Sequence, residues 1–381
     1  ITWRDYRSGY NIYAQRIDAD GSIHTGWTLD GEPVCTSTGN QNFPQLISDG
    51  SGGAIITWLD DRSGGYDIYA QRIDADGNIH NDWTLDGEQI CVSTGSQLYP
   101  RIISDGSGGA IITWKDYRGA TYDIYALRID ADGSNHTGWQ SNGEPVCINP
   151  GGDQDVRITS DGADGAVICW RENLGGYSIY AQRLDGDGSI HSGWQSYGEP
   201  VCTCTEGQED PQVVSDGSGG AIITWQDIRC GYDIYAQRID GDGLINTGWD
   251  AYGEPVCINS ELKEGPHIAS DGSGGAIICW RDHRSGNYDI YAQGIDSAGN
   301  VHAGWQAAGE PICTEGHDQW GAQIISDGSG GAIIAWEDTR SGSFDIYAQR
   351  IDPDGNIHAG WQPDGEPICT NTGYQHGVRM I

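Results

Sequence analysis

Lysine is all but missing from this chain: among 381 residues there are only Lys115 and Lys263. With 20 Lys and Arg against 55 Asp and Glu, the formal net charge is −35. A surface so short of cations argues against nucleic acid as a partner, because phosphate binding needs a basic face. Most of the arginines fall at repeated positions, so they belong to the framework and leave the outside more acidic still. Such acidity fits solubility, cation binding or a salty exterior. Also missing is any run of 18 apolar residues, hence any helical membrane span. No secretory leader is visible, although a processed or trimmed chain would lack one. There is no HExxH or CxxC pair, and no segment has a 3.6-residue apolar period. The protein is expected to be all-β.

What the chain does have is repetition. The stretch ISDGSGGAIITWLDDRSGGYDIYAQRID, residues 47–74, returns along the whole length, with its inner tryptophan at Trp3, Trp58, Trp114, Trp170, Trp225, Trp280 and Trp336. Seven units at steps of 55 or 56 residues mark a repeat architecture in which no unit buries its apolar face alone. Each unit reads as four strands. In the second copy these are Pro44–Ile47, Ala54–Trp58, Tyr66–Ile73 and a strand around Glu88–Val92. The SDGSGG and DADGN turns between them are rich in residues that tolerate positive φ. Large residues on both faces of the third strand fit a sheet packed between two others. Blades set radially around an axis satisfy this pattern. The expectation is a seven-bladed β-propeller of four-stranded blades in one domain, 1–381. Residues 1–35 and 377–381 would share the last blade, with Met380 and Ile381 pairing beside Ile1 and Thr2.

Units of the form DGSGGAIITWxDxRSGxYDIYAQRIDADG resemble the repeats of large secreted or surface-attached prokaryotic β-propeller repeat proteins. The resemblance implies a propeller and an exterior location, and no single activity.

Seven of the 11 cysteines (Cys35, Cys91, Cys147, Cys202, Cys257, Cys313, Cys369) occupy one repeated position. Equivalent positions in neighbouring units lie more than about 7 Å apart, too far for a disulfide, so these read as small buried apolar residues. Cys204 and Cys230 sit in neighbouring loops that can meet. A DxR…D hairpin (Asp60, Arg62, Asp67 and its copies) changes as a group in the fourth unit, to Glu172, Leu174 and Ser178. Joint change points to a single hydrogen-bonded network that pins the hairpin, with a ligand site as the alternative. The DADG turns carry paired carboxylates, Asp18 with Asp20, Asp74 with Asp76 and Asp130 with Asp132 among them. Calcium is the cofactor they suggest, although the closing bidentate Glu of an EF-hand is absent, and a tight glycine turn is the competing reading. Histidines before the outer tryptophan, such as His24 and His80, read as packing or hydrogen-bonding residues.

Variation between copies at the blade rims singles out Tyr6, Tyr117, His283 and Trp320 as ligand-binding candidates. Trp320 is the one tryptophan outside the two repeated positions, and exposed aromatics favour binding. The first strands present Gln45, Arg101, Arg157, Gln212, His267, Gln323 and Arg379 at one matching place. Uniform blades point to a non-enzymatic extracellular binding or assembly module, such as a subunit of a surface layer or filament, with copies of itself or cell-surface proteins and glycans as partners. A carbohydrate-binding lectin is the first alternative and a glycan-active enzyme, which needs two carboxylates in one pocket, the second.

Overall fold

A computed structural model describes the chain apart from Ser8, Pro150, Leu174, Thr205, Cys230, Asn371, Thr372, Tyr374, His376 and Ile381. The described residues form 27 strands and no helix, arranged as six four-stranded sheets and one three-stranded sheet. Strands follow chain order within every sheet. The second sheet is typical: Gln41–Ser48, Ala54–Asp60, Asp67–Ile73 and Glu88–Cys91. Every residue of Asp67–Ile73 is buried, as a strand covered on both faces requires.

Contacts divide the chain into two compact units, Ile1–Ile168 with Gln182–Gly198 and Cys169–Ala181 with Glu199–Ile381. In the first, Ile12, Ala14, Val34 and Cys35 of one sheet form a single apolar cluster with Ile56, Trp58, Tyr69 and Ile73 of the next. In the second, Ile234, Ala236 and Val256 pack likewise on Ile278 and Trp280.

First strands begin earlier than the apolar pattern indicates, at Gln41 instead of Pro44. The register breaks between Asn42 and Gln45, where Phe43 adopts a φ of 52°. A residue in the left-handed region makes a bulge that interrupts the alternation read from sequence. The closure expected from the chain ends is not shown. The first sheet has three strands, residues 377–380 lie in no strand, and Ile381 is outside the described residues.

The DxR hairpin builds a clamp that holds six of the seven blades. Asp60 is fully buried. Its Oδ2 accepts from Trp58 Nε1 at 2.9 Å and from Arg62 Nη2 at 2.6 Å, while Oδ1 accepts from Arg62 Nε at 2.9 Å. The guanidinium lies 4.1 Å over the Tyr69 ring and also donates to Cys35 Sγ of the preceding sheet at 3.0 Å. The same arginine-to-cysteine contact recurs at Arg118–Cys91, Arg229–Cys202, Arg284–Cys257 and Arg340–Cys313. The repeated cysteines are therefore free thiols, as their spacing indicates, buried except for the half-buried Cys369, and the five that meet an arginine are hydrogen-bond acceptors as well. Burial pushes the Cys35 thiol up to about 12. The third acid of the hairpin stands apart from the clamp: Asp67 accepts from Ser63 Oγ. Cys230 lies outside the described residues, and Cys204 is a half-buried free thiol.

Removing the shared carboxylate leaves an indole N–H and a guanidinium without their partner. Asp116→Ala is expected to destabilise the protein by about 3 kcal/mol, read as a lower urea midpoint at unchanged slope.

Candidate functional site

At the rim, the second strand ends and the third begins with side chains that face each other across the hairpin. Tyr6 meets Tyr10 at 4.6 Å between ring centroids, Tyr117 meets Tyr122 at 4.8 Å, and His283 meets Tyr288 at 5.0 Å. Trp320 lies 5.1 Å from Tyr288. In these three blades the residue after the inner tryptophan adds a cation: Arg4 lies 4.5 Å over Tyr10, Lys115 lies 4.1 Å over Tyr122, and Arg281 lies 4.2 Å over Trp320. Arg281 also bonds Glu264 at 2.6 Å. The four rim residues singled out by variation thus each meet a tyrosine in a tilted or edge-on aromatic contact, His283 and Trp320 sharing Tyr288. Sequence reasoning passed over the other half and the cation beside it, although Arg4, Lys115 and Arg281 vary between copies in the same way.

Lys115 connects one of these pairs to a cavity. Its Nζ lies 5.9 Å from the Tyr99 ring centre, and Tyr99, Arg101, Lys115, Gln154, Asp155, Val156 and Arg157 line a space of about 320 Å³. Arg101 and Arg157 are neighbouring copies of the first-strand position noted in the sequence, and the fold of the first unit brings them together. Tyr99 and Asp155 both hold a φ of 55°, the left-handed region where a side chain other than glycine is strained. In the sixth and seventh sheets glycine occupies this position, as Gly265 and Gly321, each at 59°. Strain of this kind gathers at ligand sites, where the surrounding structure holds it in place.

The DADG carboxylates are engaged by their own turns. Asp18 Oδ1 meets His24 Nδ1 at 2.7 Å and Asp20 Oδ1 accepts from Ser22 N at 2.9 Å. The second copy uses Asp74 for Asp76 N and Asn78 N, and the third repeats the first, with Asp130 on His136 and Asp132 on Ser134. The second turn offers a carbonyl to the blade before it: Ala75 O accepts from Trp27 Nε1 at 2.9 Å and from Arg16 Nη1 at 3.1 Å, and Ala131 O of the third accepts likewise from Trp83 Nε1. Gly77, at a φ of 85°, keeps this seat open, since a Cβ there would lie 3.1 Å from the Trp27 ring. Among the described residues no three acidic, histidine or cysteine side chains converge as a metal site.

Neither a family model nor a curated protein matches the chain. Among solved structures, a polysaccharide lyase, an ulvan lyase bound to -[GlcA(1-4)Rha3S]-, aligns over 91% of this chain and 88% of its own with a TM-score of 0.56 and 9% identity. The six-bladed propeller lectin of Aleuria aurantia, which recognises fucose, aligns over 85% and 95% at a TM-score of 0.42 and 13% identity. A Penicillium chrysogenum α-L-arabinanase complexed with arabinobiose aligns over 68% and 80%, with a TM-score of 0.41 and 13% identity. The chain is a seven-bladed β-propeller.

The lyase corrects one expectation. Uniform blades pointed to a module without enzymatic activity, yet a chain of this fold carries a polysaccharide lyase. Uniformity describes the scaffold, whereas chemistry needs only one cavity where the repeat departs from itself.

The propeller has such a departure in its fourth sheet. Glu172 is buried and shares a second cavity of about 320 Å³ with Gly175, Gly176, Ser178, Tyr180, Thr203 and Cys204. Burial pushes its carboxyl up to about 7, within the range of a general acid. It is the only carboxylate lining that cavity, so the paired arrangement of a glycosidase is not what the described residues build here. The folded chain holds this proton more tightly than the unfolded one. Its stabilising contribution is therefore complete below the ordinary glutamate range and is lost as the pH rises through about 7. Glu172→Gln is expected to gain stability relative to the parent between about pH 5 and about pH 8, measured as the difference in thermal midpoints across that window.

Proposed function

We propose that this propeller recognises carbohydrate and that acidic sugars are its ligands, bound at the cavity of Tyr99, Arg101, Lys115 and Arg157. The observation that carries the reading is the meeting of three cations and an aromatic ring in one cavity on a chain of net charge −35. Guanidinium groups recognise carboxylate and sulfate through paired, charge-assisted hydrogen bonds, and a tyrosine ring offers a flat apolar face with a polar tip for the sugar. Asp155 in the same lining provides acceptors for sugar hydroxyls. The lyase with the same fold is bound to an acidic polysaccharide, but at 9% identity it supports the fold alone and the cavity must carry the ligand class. This reading takes precedence over the assembly module suggested by blade uniformity, because it has a built cavity behind it. A secreted or surface-attached location accords with it, as does the resemblance of the repeats to surface-attached propeller proteins.

Titration calorimetry against polyuronate, sulfated and neutral polysaccharides tests the proposal. Acidic polymers are expected to bind, more weakly as salt rises, and Arg101→Ala to lower the affinity at least about ten-fold. Tyr99→Gly separates function from folding. Glycine accepts the left-handed backbone, so the variant should lose binding while its unfolding free energy stays level or rises by about 1 kcal/mol. Binding of neutral glycans that Trp320→Ala abolishes and Arg101→Ala spares would overturn the acidic-sugar reading in favour of stacking at the Trp320 platform.

A further inference from the structure

Near the end of the third strand lies a second repeated position, occupied by Arg16, Arg72, Arg128, Arg183, Arg238 and Arg350 and, in the sixth blade, by Gly294. The arginine has a recurrent seat. Its Nε and Nη2 donate to the aspartate of the SDGSGG turn: Arg72 to Asp49 Oδ2 at 3.1 and 2.9 Å, Arg238 to Asp216 Oδ2 at 3.0 and 2.8 Å, Arg350 to Asp327 Oδ2 at 3.0 and 2.8 Å. Arg238 Nη2 also meets Ser218 Oγ at 3.3 Å. Nη1 crosses to the following blade and donates to a carbonyl of its DADG turn, Arg16 to Ala75 O at 3.1 Å and Arg238 to Ser297 O at 2.9 Å. Arg16 reaches Gly52 O as well, at 3.1 Å.

The sixth blade keeps this seat without its arginine. Asp271 is buried, its side chain 2% exposed, and its Oδ2 accepts from Ser273 Oγ at 2.7 Å. Pro353 O accepts from Trp305 Nε1 at 2.9 Å, as Ala75 O does from Trp27. Asp271, Ser273, Gly330 and Pro353 are the counterparts of Asp216, Ser218, Gly52 and Ala75. All four line one cavity of about 430 Å³, within the range of ligand pockets, and Ser273 and Pro353 among them are exposed to solvent. His302 leans in from the side: its Nε2 lies 3.3 Å from Asp271 Oδ2, whereas His24, His136 and His191 bond the aspartate of their own DADG turn. One imidazole nitrogen thus stands beside the carboxylate where a two-pronged guanidinium stands in other blades.

We propose that this cavity is a guanidinium-binding site, in which an external guanidinium cation takes the seat that Gly294 leaves open and donates to Asp271 Oδ2 and Pro353 O. A carboxylate oxygen and a carbonyl oxygen held apart on two neighbouring turns match a planar fork of donors, and a compact ammonium cannot span them in the same way. A carboxylate this buried also gains more from a fixed cation than one in open water does. The Pro353 ring adds apolar surface for an alkyl stem. The site shares no residue with the acidic-sugar cavity and takes a ligand of the opposite charge.

Methylguanidinium, methylammonium and the peptide Gly-Gly-Arg-Gly-Gly test the proposal, titrated by calorimetry and followed by the chemical shift of the Trp305 indole N–H, which donates to Pro353 O. Methylguanidinium is expected to bind and move that signal, and methylammonium to bind at least about ten-fold more weakly. Asp271→Asn keeps the oxygen that accepts from the Ser273 and Gly275 amides and removes the charge, and should lower the affinity at least about ten-fold. Gly294→Arg fills the seat from within and is expected to abolish binding with a higher thermal midpoint. A Cβ at position 294 would lie 2.9 Å from the Trp305 ring, so Asp271→Asn decides the question should Gly294→Arg fail to fold. Peptide binding at least about ten-fold tighter than methylguanidinium assigns the cation to an arginine side chain, and equal affinities assign it to a free guanidinium compound. Absence of binding by both guanidinium probes, equal affinity for methylammonium, or binding undiminished in Asp271→Asn overturns the proposal.

Discussion

A carboxylate shared between an indole and a guanidinium is what six of the seven blades hang on. Burying Asp60 or Asp116 costs several kcal/mol unless its lone pairs are filled, and here both oxygens are filled by one tryptophan and one arginine. The guanidinium is itself desolvated, and offsets that loss by stacking on tyrosine and by reaching the thiol of the preceding sheet. Five residue types, Trp, Asp, Arg, Tyr and Cys, are therefore bound into one arrangement that runs from blade to blade. None can change alone without stranding a polar group, and this is the physical reason that Glu172, Leu174 and Ser178 depart from the repeat together.

The clamp also explains the electrostatics of the surface. Arginine is consumed inside the blades, so the cations left at the rim are few and each has a definite neighbour: Arg4 on Tyr10, Lys115 on Tyr122, Arg171 on Tyr177 and Arg281 on Trp320. Against a net charge of −35 an anion is repelled at long range, and salt screens that repulsion beyond about 10 Å. Recognition of an anion then depends on local contacts, which only a cavity with several cations can provide. The place where Arg101, Lys115 and Arg157 converge meets that condition.

Much of the fold could be read from the chain. The tryptophan spacing gives seven units, the alternation in YDIYAQRI gives strands covered on both faces, and the glycine turns give their limits. The bulge at Phe43 and Tyr99 could not be read, because a left-handed aromatic leaves no mark in an apolar pattern. The role of the cysteines was half legible: spacing excludes disulfides, but that Sγ accepts from an arginine of the next sheet depends on packing. For the sites, variation drew attention to Tyr6, Tyr117, His283 and Trp320, rim positions outside the clamp that the structure places in aromatic pairs. What it could not provide was the pairing of Tyr117 with Lys115 and of Lys115 with Tyr99, which joins residues from two sheets. For the DADG turns, the pattern gives paired carboxylates but does not reveal that such a turn also seats a neighbour's tryptophan, as Ala75 O does for Trp27.

Repetition has a further consequence for where function can arise. In a repeat fold, stability is close to a sum over units and their interfaces, so the loss of one clamp is borne by the six that remain. A single-copy fold has no such reserve, and the exchange of a buried aspartate–arginine pair for glutamate and leucine would cost it several kcal/mol with nothing to spread the loss. The fourth blade can therefore hold a buried acid whose carboxyl is pushed up to about 7, and the third can hold a tyrosine in the left-handed region, while their neighbours keep the architecture. Departures that would be defects elsewhere are affordable here, and the two cavities lie where the repeat gives way.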